Sequence, residues 1–371
     1  MELTPEDSLR LNVLLANKPL AIRIDESRMM VHGLTAQGES SVRLNPAGRP
    51  DQYLRSVREL ISGQVLGSPG GYPIYLRRWT RMGQMRDESL EQLLMLGEPE
   101  AVVAAVCAPG LSDELARRAW WAMEDAGNAR RMLKNPAVRE GRMGRLLASY
   151  LVDYLPFETD HEEIMETVRL VLQPGLLDES QRLDLWRKSG RKQAYLVGFI
   201  QALPDALPDP VAARALDAAI LELATAGNAY ALLMQRACAC GGQTFLKTLA
   251  AVLAKPPSQE VVIAALDSLR QYFGAVRPEG DPDLTLDALL ADAQGPFDAS
   301  RADVAAAELL ARSASLADTV RAIRFLSGVG YGLIRPLLSD PSTQGSLMRR
   351  KIAPVTQAIQ TRLDLLRDTA G

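Results

Sequence analysis

Histidine is almost missing from this 371-residue chain: only His32 and His161 occur, far apart in sequence. A Ser/Cys–His catalytic arrangement or a His-rich metal site would need one of them, and neither sits in a recognisable motif. Aromatic residues are also scarce, at 5%, and the hydrophobic 47% is carried by Ala and Leu, a composition that favours helix over sheet. Three cysteines are too few, and odd in number, for a disulfide framework, which points to reduced thiols. No stretch reaches the ~18 apolar residues of a membrane-spanning helix. The best uncharged run, Leu223 to Gln235, is interrupted by Thr225, Gly227 and Asn228. Met1 to Arg10 is acidic and polar, unlike a secretory signal. With 42 basic and 45 acidic residues the net charge is −3, so no bulk field attracts nucleic acid or anionic lipid. These absences predict a cytoplasmic protein with no metal, no cofactor, no nucleic-acid partner and no membrane insertion.

What is present falls into two regions. Residues 1–82 read as a small α+β head. Thr4-Pro5 opens a helix over Glu6 to Ala16; Ala21 to Asp25, Met29 to Leu34 and Ser41 to Leu44 read as strands; Asp51 caps a second amphipathic helix. Gly67 to Pro73 is a dense turn signal. Residues 83–371 read as helix after helix, punctuated by Glu98-Pro99, Asn135-Pro136, Asp209-Pro210, Asp281-Pro282 and Asp340-Pro341. Asp or Asn before Pro supplies an N-cap acceptor and a pre-set first φ. Ser112, Thr159 with Glu162, and Ser300 with Asp303 mark further starts. Ala126-Gly127-Asn128-Ala129 recurs as Ala226-Gly227-Asn228-Ala229, with Leu146 and Leu246, and Pro156 and Pro256, at the same offset. Together with the helix, turn, helix junction at Leu93 to Val103, this predicts a mainly α protein: a HEAT-like α-α solenoid of stacked helix pairs behind the head.

Two groups of residues can carry function. Tyr75, Arg77, Arg78, Trp79 and Arg81 mix aromatic and guanidinium groups of the kind enriched at interface hot spots. They read either as a partner-binding site or as internal glue between head and helices, with the arginines paired to Asp87, Glu88 and Glu91. Cys238-Ala239-Cys240 places two thiols one residue apart before Gly241-Gly242. They are either reactive thiols or small buried side chains ending a helix that Gly241-Gly242 caps. Cys107, in the apolar run Ala101 to Ala108, reads as core. Of Trp120 and Trp121, one is expected in the core and one near the rim. The glycines of Gly328 to Gly332 fit no phosphate-binding fingerprint.

The stretch Ser68 to Leu94, the following Leu96 to Val102, Leu115 to Met123 and the opening Glu6 to Leu15 resemble the DsrS proteins. The resemblance covers roughly the first 200 residues. It implies a place in cytoplasmic oxidation of stored sulfur, beside the reverse-acting dissimilatory sulfite reductase system, and it carries no catalytic residue or cofactor across. The expected function is a non-enzymatic helical adaptor or accessory protein that contacts a protein of that machinery. The alternative expectation is a thiol-based sulfur carrier or redox protein using Cys238 and Cys240.

Overall fold

Pro5 takes the first helical position and the Thr4 hydroxyl accepts the Asp7 N–H, so α1 (Pro5–Ala16) starts where its signals place it. The computed structural model describes residues 3–46, 48–67, 87–190, 192–295, 303–338 and 343–367. Among them the protein is mainly helical, with 19 α-helices and one small antiparallel sheet near the N-terminus. Strands β1 (Ala21–Asp25), β2 (Met30–Thr35) and β3 (Gly38–Arg43) lie in sequence order, with Ile22 opposite Gly33 and Val31 opposite Val42. Alternation turns Ile22, Val31 and Val42 to one face. There they meet Leu11 and Leu14 of α1 and Tyr53, Leu54, Val57 and Ile61 of α2 (Pro50–Leu66). A Cβ on Gly33 would lie 3.0 Å from Leu14 Cδ1, so glycine lets α1 settle closely on the sheet. Asp51 is not the cap of α2: Pro50 occupies the first helical position, Arg49 is the cap, and Asp51 falls in the first turn.

Six more helices share this compact unit: α3 (Asp87–Leu94), α4 (Pro99–Val106), α5 (Asp113–Ala122), α6 (Ala126–Lys134), α7 (Pro136–Arg139) and α8 (Arg142–Tyr154). Gly97, at φ 68°, makes the turn between α3 and α4 where a helix, turn, helix junction was expected. Helices α3 and α5 both pack on β1. The chain divides into two compact units, Met1–Tyr154 with Gly175–Leu177, and Leu155–Pro174 with Asp178–Gly371; the expected boundary at residues 82 and 83 lies outside the described residues. Trp120 is buried and Trp121 half-buried, as expected of that pair.

The second unit holds α9 (His161–Val171), α10 (Glu179–Ser189), α11 (Gln193–Ala202), α12 (Ala218–Thr225), α13 (Ala229–Cys238), α14 (Cys240–Ala254), α15 (Gln259–Phe273), α16 (Leu286–Asp292), α17 (Val304–Arg312), α18 (Ala317–Leu326) and α19 (Gly345–Leu366). Helices α9 and α11 approach closely because Gly198 presents no side chain; a Cβ there would lie 2.6 Å from Val168 Cβ. Helix α14 packs on α11, α15 and α19, and α15 on α18. Asp160, not Thr159, caps α9, accepting from the Glu162 and Glu163 N–H groups.

Two of the acid–proline pairs open no helix: Asp209 itself, and Asp283 two residues after Asp281, have positive φ, which takes the chain out of the right-handed helical region. Asp209 has a φ of 56° and accepts the Trp186 Nε1–H at 2.8 Å; Asp281 accepts the Asp283 N–H at 2.9 Å in a turn. The sequence echo does not repeat the local structure either. Asp125 caps α6 and leaves Asn128 inside it, whereas Asn228 itself caps α13; Leu146 is exposed and Leu246 fully buried.

Candidate functional site

The two thiols stand at a sharp corner of the second unit. Helix α13 ends at Cys238, Ala239 is extended, and α14 leaves at a bend of 79°. Gly241 and Gly242 are not the cap of α13. They lie in the first turn of α14, where a Cβ would come within 2.1 Å of the Asp205 carbonyl (Gly241) or the Arg236 carbonyl (Gly242), so close backbone approach explains both. Arg236 pins the corner with two bonds to the Asp205 carboxylate, at 2.9 and 2.7 Å, while its guanidinium lies 3.8 Å from the Tyr272 ring centroid. Gln243 donates to the Ala237 carbonyl at 2.8 Å and so closes the end of α13.

This corner separates the cysteines. Cys238 is 7% exposed and lines a cavity of about 310 Å³ with Arg214, Asp217, Met234, Arg312 and Ser313. The Arg214 N–H donates to the Cys238 carbonyl, and the Arg214 guanidinium to the Leu365 carbonyl. Burial pushes the Cys238 thiol up, and the nearby Arg214 charge pulls it only part of the way back. The group is therefore a neutral thiol at pH 7. Cys240 is exposed at the first position of α14. Cys107 is exposed as well: it is the cap that ends α4, outside the apolar face to which its neighbours Val102 and Val106 belong, so the core assignment does not hold. A cavity of this size suits a small molecule. Among the described residues no three His, Cys, Asp or Glu side chains come together as metal ligands.

Tyr75, Arg77, Arg78, Trp79 and Arg81 lie outside the described residues. Of the acids expected to pair with them, Glu91 is met by Arg118 at 3.2 Å.

The first unit adds a surface that the sequence reading missed. Leu9 and Val13 are one turn apart on the flank of α1, 65% and 55% exposed, beside the core stripe of Leu11 and Leu14. They border an open groove of about 480 Å³ whose other wall is Ser40, Ser41, Val42 and Arg43 of β3. Strand β3 is an edge of the sheet. The signal was available: α1 carries more apolar residues than one buried stripe uses. On the opposite sheet face, Glu39 gathers the head's polar side chains. Trp121 Nε1–H donates to it at 3.1 Å, His32 Nδ1 lies at 2.7 Å, and Arg23, 3.4 Å away, stacks over the Trp121 ring. That cluster fixes α5 to the sheet and gives His32 a structural post. His161 is the first residue of α9, as expected for a polar first-turn residue.

No family model, no curated protein and no solved structure matches the chain.

Proposed function

We propose that this protein is a non-enzymatic adaptor or accessory protein of cytoplasmic sulfur oxidation that works by protein–protein contact. The observation that carries the contact reading is the open groove between α1 and β3, where Leu9 and Val13 remain exposed beside a strand edge that pairs with no other strand among the described residues. Exposed apolar surface rimmed by polar groups is the usual mark of a docking site. The pathway rests on the resemblance to the DsrS proteins. The HEAT-like stack belongs to the same proposal. Sequential packing of α3, α4, α5 and α6 favours it, and the contact of α14 with α19, across α15 to α18, departs from a strict nearest-neighbour pattern.

The test is affinity purification of the full chain from sulfur-oxidising cells. Stoichiometric recovery of components of the sulfite reductase system is expected, with loss in an Arg77→Glu, Arg78→Glu variant if those residues form the site. Failure to recover any such component overturns the adaptor reading.

A second reading is favoured by one specific observation: buried Cys238 lines a cavity two residues from exposed Cys240. In it, the Cys240 thiolate attacks the outer sulfur of a small persulfide, forms Cys240–S–SH and releases the parent thiolate. Mass spectrometry after persulfide treatment should then show one added sulfur on the 238–240 peptide, lost in Cys240→Ser. An unchanged peptide mass removes this reading.

A further inference from the structure

The register of the sheet shows which backbone groups of β3 are free to pair. The Leu44 N–H donates to the Met29 carbonyl at 2.8 Å, and Met30 stands opposite Arg43. Hydrogen-bonded and non-bonded pairs alternate along an antiparallel ladder, so Glu39, Ser41 and Arg43 turn their N–H and C=O groups away from β2. Such an edge is a template for another strand. Its side chains decide which strand fits. Glu39 and Arg43, both exposed, flank exposed Ser41 at equal spacing on the sheet face away from α1. Their charges cancel, so the edge favours neither an acidic nor a basic strand as such. Order is what counts. Read in reverse, Glu39-Ser40-Ser41-Val42-Arg43 sets a base against its own acid and an acid against its own base, so the strand is its own complement.

We propose that β3 pairs antiparallel with the β3 of a second copy, about a two-fold axis at Ser41, so that two three-stranded sheets become one continuous sheet. This goes beyond the adaptor reading, whose partner would compete with the second copy for the same groove. In the proposed register Glu39 lies opposite the second copy's Arg43 on both sides of the axis. Ser41 lies opposite Ser41, and every outward N–H meets an outward C=O. Opposite charges facing each other on neighbouring strands attract, and like charges repel. A slip by two residues parts the charged pairs, and a slip by four sets Arg43 beside Arg43 or Glu39 beside Glu39. The charges therefore select the register centred on Ser41. Glu39 has room for the added arginine: Trp121, His32 and Arg23 take three of the roughly four acceptor sites of a carboxylate, and its side chain remains 41% exposed. On the other sheet face the two-fold places Val42 opposite the second copy's Ser40. It also brings the exposed flanks of the two α1 helices, with Leu9 and Val13, to the same side of the joined sheet. A surface that meets itself across a two-fold closes after one contact, the commonest form of assembly among soluble oligomers.

Sedimentation of the full chain over a range of concentrations reads the association, and amide exchange at the same concentrations reads where it occurs. A monomer–dimer equilibrium is expected. The Glu39, Ser41 and Arg43 amides should be protected only in the dimer, and those of Ser40 and Val42, bonded to β2, in both forms. Arg43→Glu turns attraction into repulsion at both ends of the contact and should raise the dissociation constant at least about tenfold, whereas Arg43→Lys keeps the charge and the dimer. Ser41→Pro removes the N–H at the axis, where an edge strand tolerates proline, and should weaken the dimer by a similar factor. A chain that stays monomeric at every concentration overturns the proposal, as does a dimer that neither Arg43→Glu nor Ser41→Pro weakens. Recovery of a sulfite reductase component by a chain that never dimerises, abolished by Ser41→Pro, would assign the edge to that partner and also overturn it. If no dimer forms while such components still co-purify, the adaptor reading stands and only this proposal falls. A dimer with the expected protection, and no component recovered, leaves this proposal standing and removes the adaptor reading.

Discussion

Asp292→Ala is expected to lower the stability of the second unit by about 3 to 5 kcal/mol, the usual cost of stranding one member of a buried ion pair. The stranded member is Arg277, whose side chain is 3% exposed. It donates to Asp292 and to the Ser327 hydroxyl, with Glu279 3.4 Å away at the surface. Without Asp292 the guanidinium keeps the neutral Ser327 hydroxyl and, of these two counter-charges, only the solvated Glu279. The reverse change is milder. Arg277→Ala leaves Asp292 still paired with Arg324 at 3.2 Å, and a smaller loss is expected. Burial opposes ionisation of Asp292, but the Arg277 hydrogen bond and the charges of Arg277 and Arg324 prevail and hold its carboxyl below the ordinary range. A depressed folded value contributes stability above the unfolded one, about 3.9, and loses it as pH falls through the folded one. The gap between wild type and Asp292→Ala should therefore be constant from neutrality to about pH 4 and narrow below it. Hydrogen exchange of α15 to α18, followed by mass spectrometry against pH, reads both effects. Equal protection of those helices in wild type and Asp292→Ala at pH 7 would refute the estimate.

None of these partners stood out in the sequence. Arg277-Pro278-Glu279 and Asp292 lie apart along the chain, and Arg324 farther still, so only the packing of α15, α16 and α18 joins them. Local signals were more legible. Thr4-Pro5, Ser112 and Asn135-Pro136 cap helices as read, because capping needs only residues within one turn. The same chemistry misled at Asp209, whose carboxylate takes the distant Trp186 Nε1–H, and at Asp281, where the local bond forms but Asp283 at φ 46° turns the chain away from a helix. The strands were legible through alternation, and their order followed from short turns. Which edge stays open was not, since that depends on what covers β1. At Cys238 and Cys240, spacing alone suggested one environment for both thiols. A 79° turn, made possible by two glycines pressed against carbonyl oxygens, gives them opposite ones.

The second large effect concerns the element that forms the groove. Asp7→Ala should destabilise the N-terminal core by about 1 to 3 kcal/mol, because it removes the acceptor of the buried Tyr53 hydroxyl and of the Asn45 N–H. Asp7 is completely buried in the first turn of α1. Its Oδ2 accepts from the Asn45 N–H at 2.7 Å and from the Tyr53 hydroxyl at 2.5 Å, so one carboxylate ties α1 to the chain leaving β3 and to α2. Tyr53 is itself fully buried, and burial, followed by the bond to Asp7, pushes its phenol up. It therefore remains a donor across the physiological range. Tyr53→Phe is the gentler test. It removes one donor, leaves the Asn45 N–H in place, and should cost less than Asp7→Ala, whereas contacts of purely apolar origin would be barely disturbed by it. Since Asp7 fastens α1 beside β3, its loss should also loosen the wall carrying Leu9 and Val13. Amides of α1 and β3 should then exchange faster in Asp7→Ala while those of the second unit do not. Unchanged protection of α1 would mean that apolar packing of Leu11 and Leu14 alone holds the helix against the sheet.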